Sequence, residues 1–281
     1  MQYKTAKDFR KGLEMRLQKI STESHIDLQR IRRKVAFDRL LARIFSENNT
    51  GFFLKGGYAM ELRMIDARAT KDMDITSIHP VDSILDKLHN LSNKDLSDHF
   101  IYRIGSPIKD LENAPYGGLR YPVSTIIDNR LFVQFQLDVG VDLVVDRVEN
   151  IDAPKWLDYC DIPAPTIWMI SAKQQFCEKL HAYTLPREGR LNSRTKDLVD
   201  MVLLLSMYTF APQDFPPLLE KIFRVRNTHS LPDELASPPK EWEIPFAVMS
   251  KECGLNLTID ESFSQVQTFY AFLKQTPLIT N

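Results

Sequence analysis

Two aspartates stand one residue apart in the stretch FFLKGGYAMELRMIDARATKDMDIT, residues 52–76, with only Met73 between Asp72 and Asp74. In an extended chain, side chains at i and i+2 share a face. Two carboxylates would then lie side by side among residues that favour burial. Packing gives no reason for such a pair, but a hard divalent cation does. Mg²⁺, or Mn²⁺ in its place, takes carboxylate oxygens and keeps room for substrate phosphates. The plainer alternative is two surface carboxylates on an edge strand. Upstream, Gly56 and Gly57 follow the short apolar run Phe52–Lys55 and precede a helical pattern. A helix starting there points its N–H groups and the positive end of its dipole at an anion. Glycine also lets the backbone approach phosphate closely. Alone, Gly-Gly is an ordinary tight turn. With the aspartates it reads as a cradle for one end of a nucleoside triphosphate.

Several elements must position these groups. Helical periodicity runs over Thr5–Ile20 and His25–Phe45, and a short strand over Phe52–Lys55. A helix over Gly57–Ile65 leads to a strand at Met73–Thr76. Pro80 opens a helix over Val81–Leu91, and Phe100–Ile104 reads as a strand. Leu119–Ile127 and Leu131–Val139 alternate on either side of Asp128–Asn129, which predicts a β-hairpin. Asp152–Pro165 contains three prolines and reads as a connection. Beyond it the pattern turns helical, over Thr166–Thr184, Ser193–Phe210, Pro216–Phe223 and Ser262–Leu273, with a Pro-rich stretch at Leu231–Pro245. The expected organisation is an α+β lobe over residues 1–165 and an all-helical lobe over 166–281.

Strand, Gly-Gly, helix and Asp-x-Asp on a strand together resemble the DNA polymerase β-like nucleotidyltransferases. More narrowly, LKGGYAMELR and RATKDMDI resemble the AbiEii/MenT family of nucleotidyltransferase toxins. FQLDVGVD, CEKLHAY and NSRTKDLVDMVLL resemble that family's remaining motifs in the same order, so the likeness covers about residues 5–210. It implies a polymerase β-like lobe with a mixed β-sheet and flanking helices, and a helical lobe that completes a cleft. It also implies a third carboxylate on a neighbouring strand that joins the metal site and accepts the proton of the attacking hydroxyl. Asp138 continues the alternation of Gln134 and Gln136 and is preferred to its rival Asp142. Lys179 matches the lysine that binds the triphosphate. Lys196, Asp197 and Asp200 match a Lys-Asp-x-x-Asp motif, with Asp200 carried over as functional, orienting Lys179 or the acceptor. Asp197 and Asp200 share a helical face beside a buried stripe, where carboxylates need partners. Tyr58 stands where the family usually has Ser or Thr. As a nucleotide-binding position it then relies on its backbone, or Tyr58 packs in the core. His181 reads as structural, since no second ligand has metal spacing.

Composition sets the outer bounds. With 43% hydrophobic and 26% charged residues, the 281-residue chain reads as a soluble globular protein of one large or two moderate domains. Its opening segment Met1–Gly12 is charged and polar, so no secretory signal is expected. The longest apolar run, Met201–Met207, is too short to span a bilayer. Three cysteines without a CxxC pair fit a reduced, cytoplasmic interior. The formal net charge of −1 conceals a surplus of seven positive charges over residues 1–43. Arg30, Arg32, Arg33 and Lys34 are its centre, as possible RNA contacts or as a solvated helical face. The resemblance implies an NTP substrate, an RNA acceptor (tRNA at its 3′ end) and a cognate antitoxin. Nucleotidylation of a protein hydroxyl and a non-catalytic NTP-binding module are the alternative functions.

Overall fold

A computed structural model describes residues 3–275 except 48, 65–66, 112–115, 143 and 187–193. By their contacts, the residues divide into two compact units. The first holds Met1–Leu62, Ala69–Leu143 and Glu149–Met169. The second holds Arg63–Arg68, Val144–Val148 and Ile170–Asn281.

The first unit opens with two helices, α1 (Ala6–Ser24) and α2 (Leu28–Ile44). Thr5 and Asp27 cap them, each accepting a backbone N–H from three residues on, Asp8 and Arg30. Strand β1 (Phe52–Lys55) then runs directly into α3 (Gly56–Arg63), and β2 (Asp72–Ser77) leads to α4 (Val81–Ser92). Next come β3 (Ile101–Ile104), the two-residue β4 (Lys109–Asp110) and the long pair β5 (Gly118–Ile127) and β6 (Arg130–Val141). β7 (Val148–Asp152) and β8 (Thr166–Ile170) complete a mixed sheet in the order β3-β5-β6-β2-β1-β8-β7, with β4 beside β5. Along β2 and β6 the burial alternates. Met73, Ile75, Leu137 and Val139 enter the core with Val35, Phe37 and Leu41 of α2, so the intervening polar residues occupy the opposite face.

The β5–β6 hairpin turns at Asp128–Asn129, both with φ of 54°. That is the double left-handed geometry of a type I′ turn, which Asp and Asn tolerate. A bulge between Thr125 and Ile126 shifts the pairing by one residue from there on. Two segments differ from expectation. Thr166–Ile170 is strand β8, not the start of a helix: TIWMI is rich in β-branched and aromatic residues. Helix α5 begins only at Ala172, behind a Ser171 cap. The Pro-rich stretch contains a 3₁₀ turn (Lys240–Trp242) and the start of α8 (Glu243–Glu252). Its Pro245 sits in the first turn, where a missing N–H costs no helix bond.

In the second unit, α5 (Ala172–Thr184), α6 (Thr195–Met207), α7 (Pro216–Arg226), α8 and α9 (Ile259–Gln275) are all helical. Residue 193, where α6 was expected to begin, lies outside the described residues. Phe176, Phe215 and Phe269 meet edge-on with ring centroids 5.2–5.7 Å apart. Among the described residues, no helix is long and apolar enough to cross a membrane, and Cys160, Cys177 and Cys253 are buried free thiols.

Candidate functional site

The register of the sheet assembles the first group. Parallel pairing of β2 with β6 sets Asp74 beside Asp138 and Asp72 beside Gln136. Antiparallel pairing adds Lys55 of β1 opposite Asp74, and Arg120 of β5 opposite Asp138. Directly paired residues project to one face. A row therefore runs across four strands as Lys55, Asp74, Asp138, Arg120, with Asp72 and Gln136 one step along it. Asp142 lies beyond the end of β6, buried, and outside the row. Arg120 grips Asp138 with two parallel hydrogen bonds of 2.7 Å each and approaches Asp72 at 3.9 Å. The Asp138 hydrogen bonds hold the guanidinium firmly protonated despite some burial, and Asp72 and Asp74 add to this.

Gly56 sits at the junction of β1 and α3 with φ of +68°, a conformation glycine adopts without strain. A Cβ at this position would overlap the Asp74 carboxylate. The glycine thus makes room for the carboxylate at the start of α3, where the first N–H groups lack helical acceptors.

These residues fit a hard cation by three observations: carboxylate donors on one face, a glycine cradle around one of them, and a stand-in cation already on another. The Gln136 side-chain oxygen beside them is buried and has no hydrogen-bond partner among the described residues. Among the described residues, no three His, Cys, Asp or Glu side chains form a group that could hold a metal ion.

Tyr58 takes the core position. It is fully buried against Phe37, with ring centroids 4.8 Å apart, and its hydroxyl donates to Asp38. Of the two readings of this position, the side chain follows the core one: its hydroxyl is committed inside the protein. Asp38 also accepts from the Trp156 indole at 2.8 Å. Burial nonetheless pushes its carboxyl up to about 7 against both donors and the nearby Lys34 and Arg39.

The second group belongs to the helical unit. Lys179 Nζ lies 2.9 Å from Asp197 Oδ1 and 2.8 Å from Asp200 Oδ2. Arg68 holds both oxygens of Asp200 at 2.9 and 2.7 Å, and Arg194 stands 3.4 Å from Asp197. Burial alone would drive the proton off Lys179, but Asp197 and Asp200 outweigh it and keep the ammonium charged. For Asp200, burial opposes ionisation and is overcome by Lys179 and Arg68, so its carboxyl stays below the usual range. Arg68 and Arg120 were not singled out from the sequence. RATKDMDI contains Arg68 only four residues before Asp72, but nothing local names Asp200 as its partner.

His181 belongs to a chain of polar contacts in the same unit. Its Nε2 lies 3.0 Å from the Thr228 hydroxyl, which lies 3.0 Å from His229 Nδ1, while His229 Nε2 lies 2.8 Å from Thr184. Burial, aided by Arg226 and His229, lowers the His181 imidazole to about 3. The unfolded chain takes up this proton near pH 6.5 and the folded protein refuses it. The stability it contributes is complete above pH 6.5 and is lost as pH falls toward 3. Melting at pH 7.5 and pH 5 should show wild type losing more on acidification than His181→Gln, by about 2 kcal/mol at most. Equal losses would show that His181 is not held neutral.

The basic residues of α2 are partly neutralised. Glu61 is buried and pairs with Arg30 at 2.9 Å and Lys34 at 3.4 Å, while its other oxygen accepts the Thr70 N–H at 2.7 Å. Arg32 pairs with Glu14 at 2.5 Å, and Arg33 is half-buried. The expected free patch is therefore in large part a set of ion pairs, because a buried glutamate needs cations around it.

Comparison with known proteins identifies a family and similar folds. The family model described as nucleotidyl transferase AbiEii toxin, type IV TA system, matches residues 39–268. MenT4, a nucleotidyltransferase toxin from Mycobacterium tuberculosis, superposes with a TM-score of 0.53 at 16% identity, covering 88% of this chain and 94% of that one. JHP933 from Helicobacter pylori also aligns at 16% identity over 88% of this chain and 99% of its own, with a TM-score of 0.45. The likeness to MenT4 is one of fold. No curated protein matches the sequence significantly.

Proposed function

The chain belongs to the AbiEii family of nucleotidyltransferase toxins, and from that premise we propose that it moves an NMP from an NTP to a hydroxyl of RNA, at the 3′ end of tRNA. The observation that most supports this reading is the pairing of Asp74 with Asp138 on the face that also carries Asp72, beside the Gly56 cradle. Asp72, Asp74 and Asp138 would hold the Mg²⁺ or Mn²⁺ ion. Such an ion, when bound, neutralises triphosphate charge and makes the attacking hydroxyl more acidic. The chain's own groups perform the rest. Backbone N–H groups of Gly56 and Gly57 hold phosphate oxygens at the start of α3. Asp138 accepts the proton of the acceptor hydroxyl, which attacks the α-phosphorus as pyrophosphate leaves. Lys179 supplies a compact positive charge to the triphosphate, and Asp200 orients it. Arg30, Arg32, Arg33 and Lys34 contribute RNA contacts alongside the ion pairs formed with Glu14 and Glu61.

The family sets the protein in a toxin–antitoxin system, with a cognate antitoxin as its counterpart. Incubation with each of the four α-labelled NTPs and total RNA or total protein tests the acceptor. Label in the tRNA fraction is the expected result. Label on protein would replace RNA as the acceptor, and NTP binding without label anywhere would reduce the protein to a binding module.

A further inference from the structure

Arg120 has no part in the reaction described above, yet it lies across the acidic row. Its Nε and Nη2 engage both oxygens of Asp138, each at 2.7 Å, and Nη2 stands 3.9 Å from Oδ2 of Asp72. Those are the oxygens a divalent cation would take. A bidentate guanidinium fork is the strongest grip a carboxylate receives from a side chain. At this range a positive charge also disfavours a second, divalent one. The Arg120 side chain is 31% exposed, so it has solvent to move into when released. By contrast, Asp138 is 13% exposed and fixed within a central strand.

We propose that Arg120 is a positioning residue that occupies the cation place at Asp138 until a divalent ion displaces it, and thereby sets the metal affinity of the site. This rests on the proposed metal site at Asp72, Asp74 and Asp138. Arg120 offsets the negative charge of Asp138 and Asp72 in the metal-free protein and opposes the ion that would offset it better. Its removal therefore acts with opposite sign on the two states: the metal-free protein is weakened and metal binding is strengthened. An ordinary structural ion pair would give only the first effect.

The test is Mn²⁺ titration of the full chain, with free Mn²⁺ read by electron paramagnetic resonance, alongside melting without metal. Wild type, Arg120→Gln, Arg120→Lys and Asp138→Asn are compared. Arg120→Gln should lower the metal-free melting temperature and tighten Mn²⁺ binding about tenfold or more. Arg120→Lys keeps the charge but loses the fork, and should fall between Arg120→Gln and wild type. Adding Asp138→Asn should abolish the gain. If wild type binds Mn²⁺ and Arg120→Gln binds it no more tightly, the inference is overturned while the metal site stands. If Arg120→Gln does not fold, Arg120→Lys decides by the same comparison. If neither wild type nor variant binds Mn²⁺, the metal site itself falls, and this inference with it.

Discussion

Replacing Asp72 and Asp74 together by Asn is expected to cut nucleotidyl transfer by about a thousandfold or more, a loss of about 4 kcal/mol of transition-state stabilisation. Misfolding of the strand would not explain such a loss. Asp72 is 43% exposed, and the strand is fixed by backbone pairing with β1 and β6. The bond from the Thr70 hydroxyl goes to the Asp72 carbonyl and not to its carboxylate. Removing two like charges beside Asp138 also relieves repulsion, so the melting temperature should stay level or rise. Transfer assays and thermal melts on one preparation check both halves. A variant that transfers at the parental rate would show that these carboxylates do no chemistry.

Lys179→Met is expected to lower transfer by about a hundredfold or more. An ammonium aimed at concentrated triphosphate charge contributes most where water is excluded, and Lys179 is largely buried. Lys179→Arg should recover part of the loss, since a planar fork does not replace a point charge. Stability must be read beside activity. Asp197 and Asp200 are almost fully buried, and breaking a buried pair from one side costs about 3–5 kcal/mol. Here Arg68 and Arg194 remain to compensate, so the cost should be smaller and the variant should fold. NTP affinity measured on the folded variant then separates the roles. Weakened NTP binding supports the nucleotide contact, and unchanged binding and transfer would leave Lys179 as a structural cation. Lys173 pairs with Asp146 at 2.9 Å and serves as a control, with little effect expected from Lys173→Ala.

What the sequence revealed and what it concealed have physical reasons. Asp72 and Asp74 were legible because β-periodicity of two places them on one face without reference to any other strand. The Gly56–Gly57 turn and the Asp128–Asn129 hairpin were legible because their backbone geometry restricts residue type. For Asp138 the resemblance implied a third carboxylate, and alternation preferred it to Asp142. Nothing comparable marked Arg120. A two-residue turn at 128–129 with regular pairing would set Arg120 opposite Leu137. The bulge between Thr125 and Ile126 moves it opposite Asp138, and no residue type in that stretch announces the bulge. Arg68 and Glu61 were hidden for a related reason: their partners, Asp200 and Arg30, lie far away in the chain. The seven-charge surplus of residues 1–43 counted Arg30 and Lys34 as free because Glu61 falls outside that window. Thr166–Ile170 misled because a short apolar run before a helix has no periodicity of its own to separate strand from helix.

The most direct measurement follows the two ends of the triphosphate in one reaction. An NTP labelled at the α-phosphate and the same NTP labelled at the γ-phosphate are each incubated with the protein, RNA and Mg²⁺, and the acceptor and released phosphates are separated. A nucleotidyltransferase built on Asp72, Asp74 and Asp138 puts the α-label on the acceptor and releases the γ-label as pyrophosphate, one for one, with neither event after chelation of the metal. Transfer of the γ-label to the acceptor, or pyrophosphate release undiminished by the chelator, would contradict it.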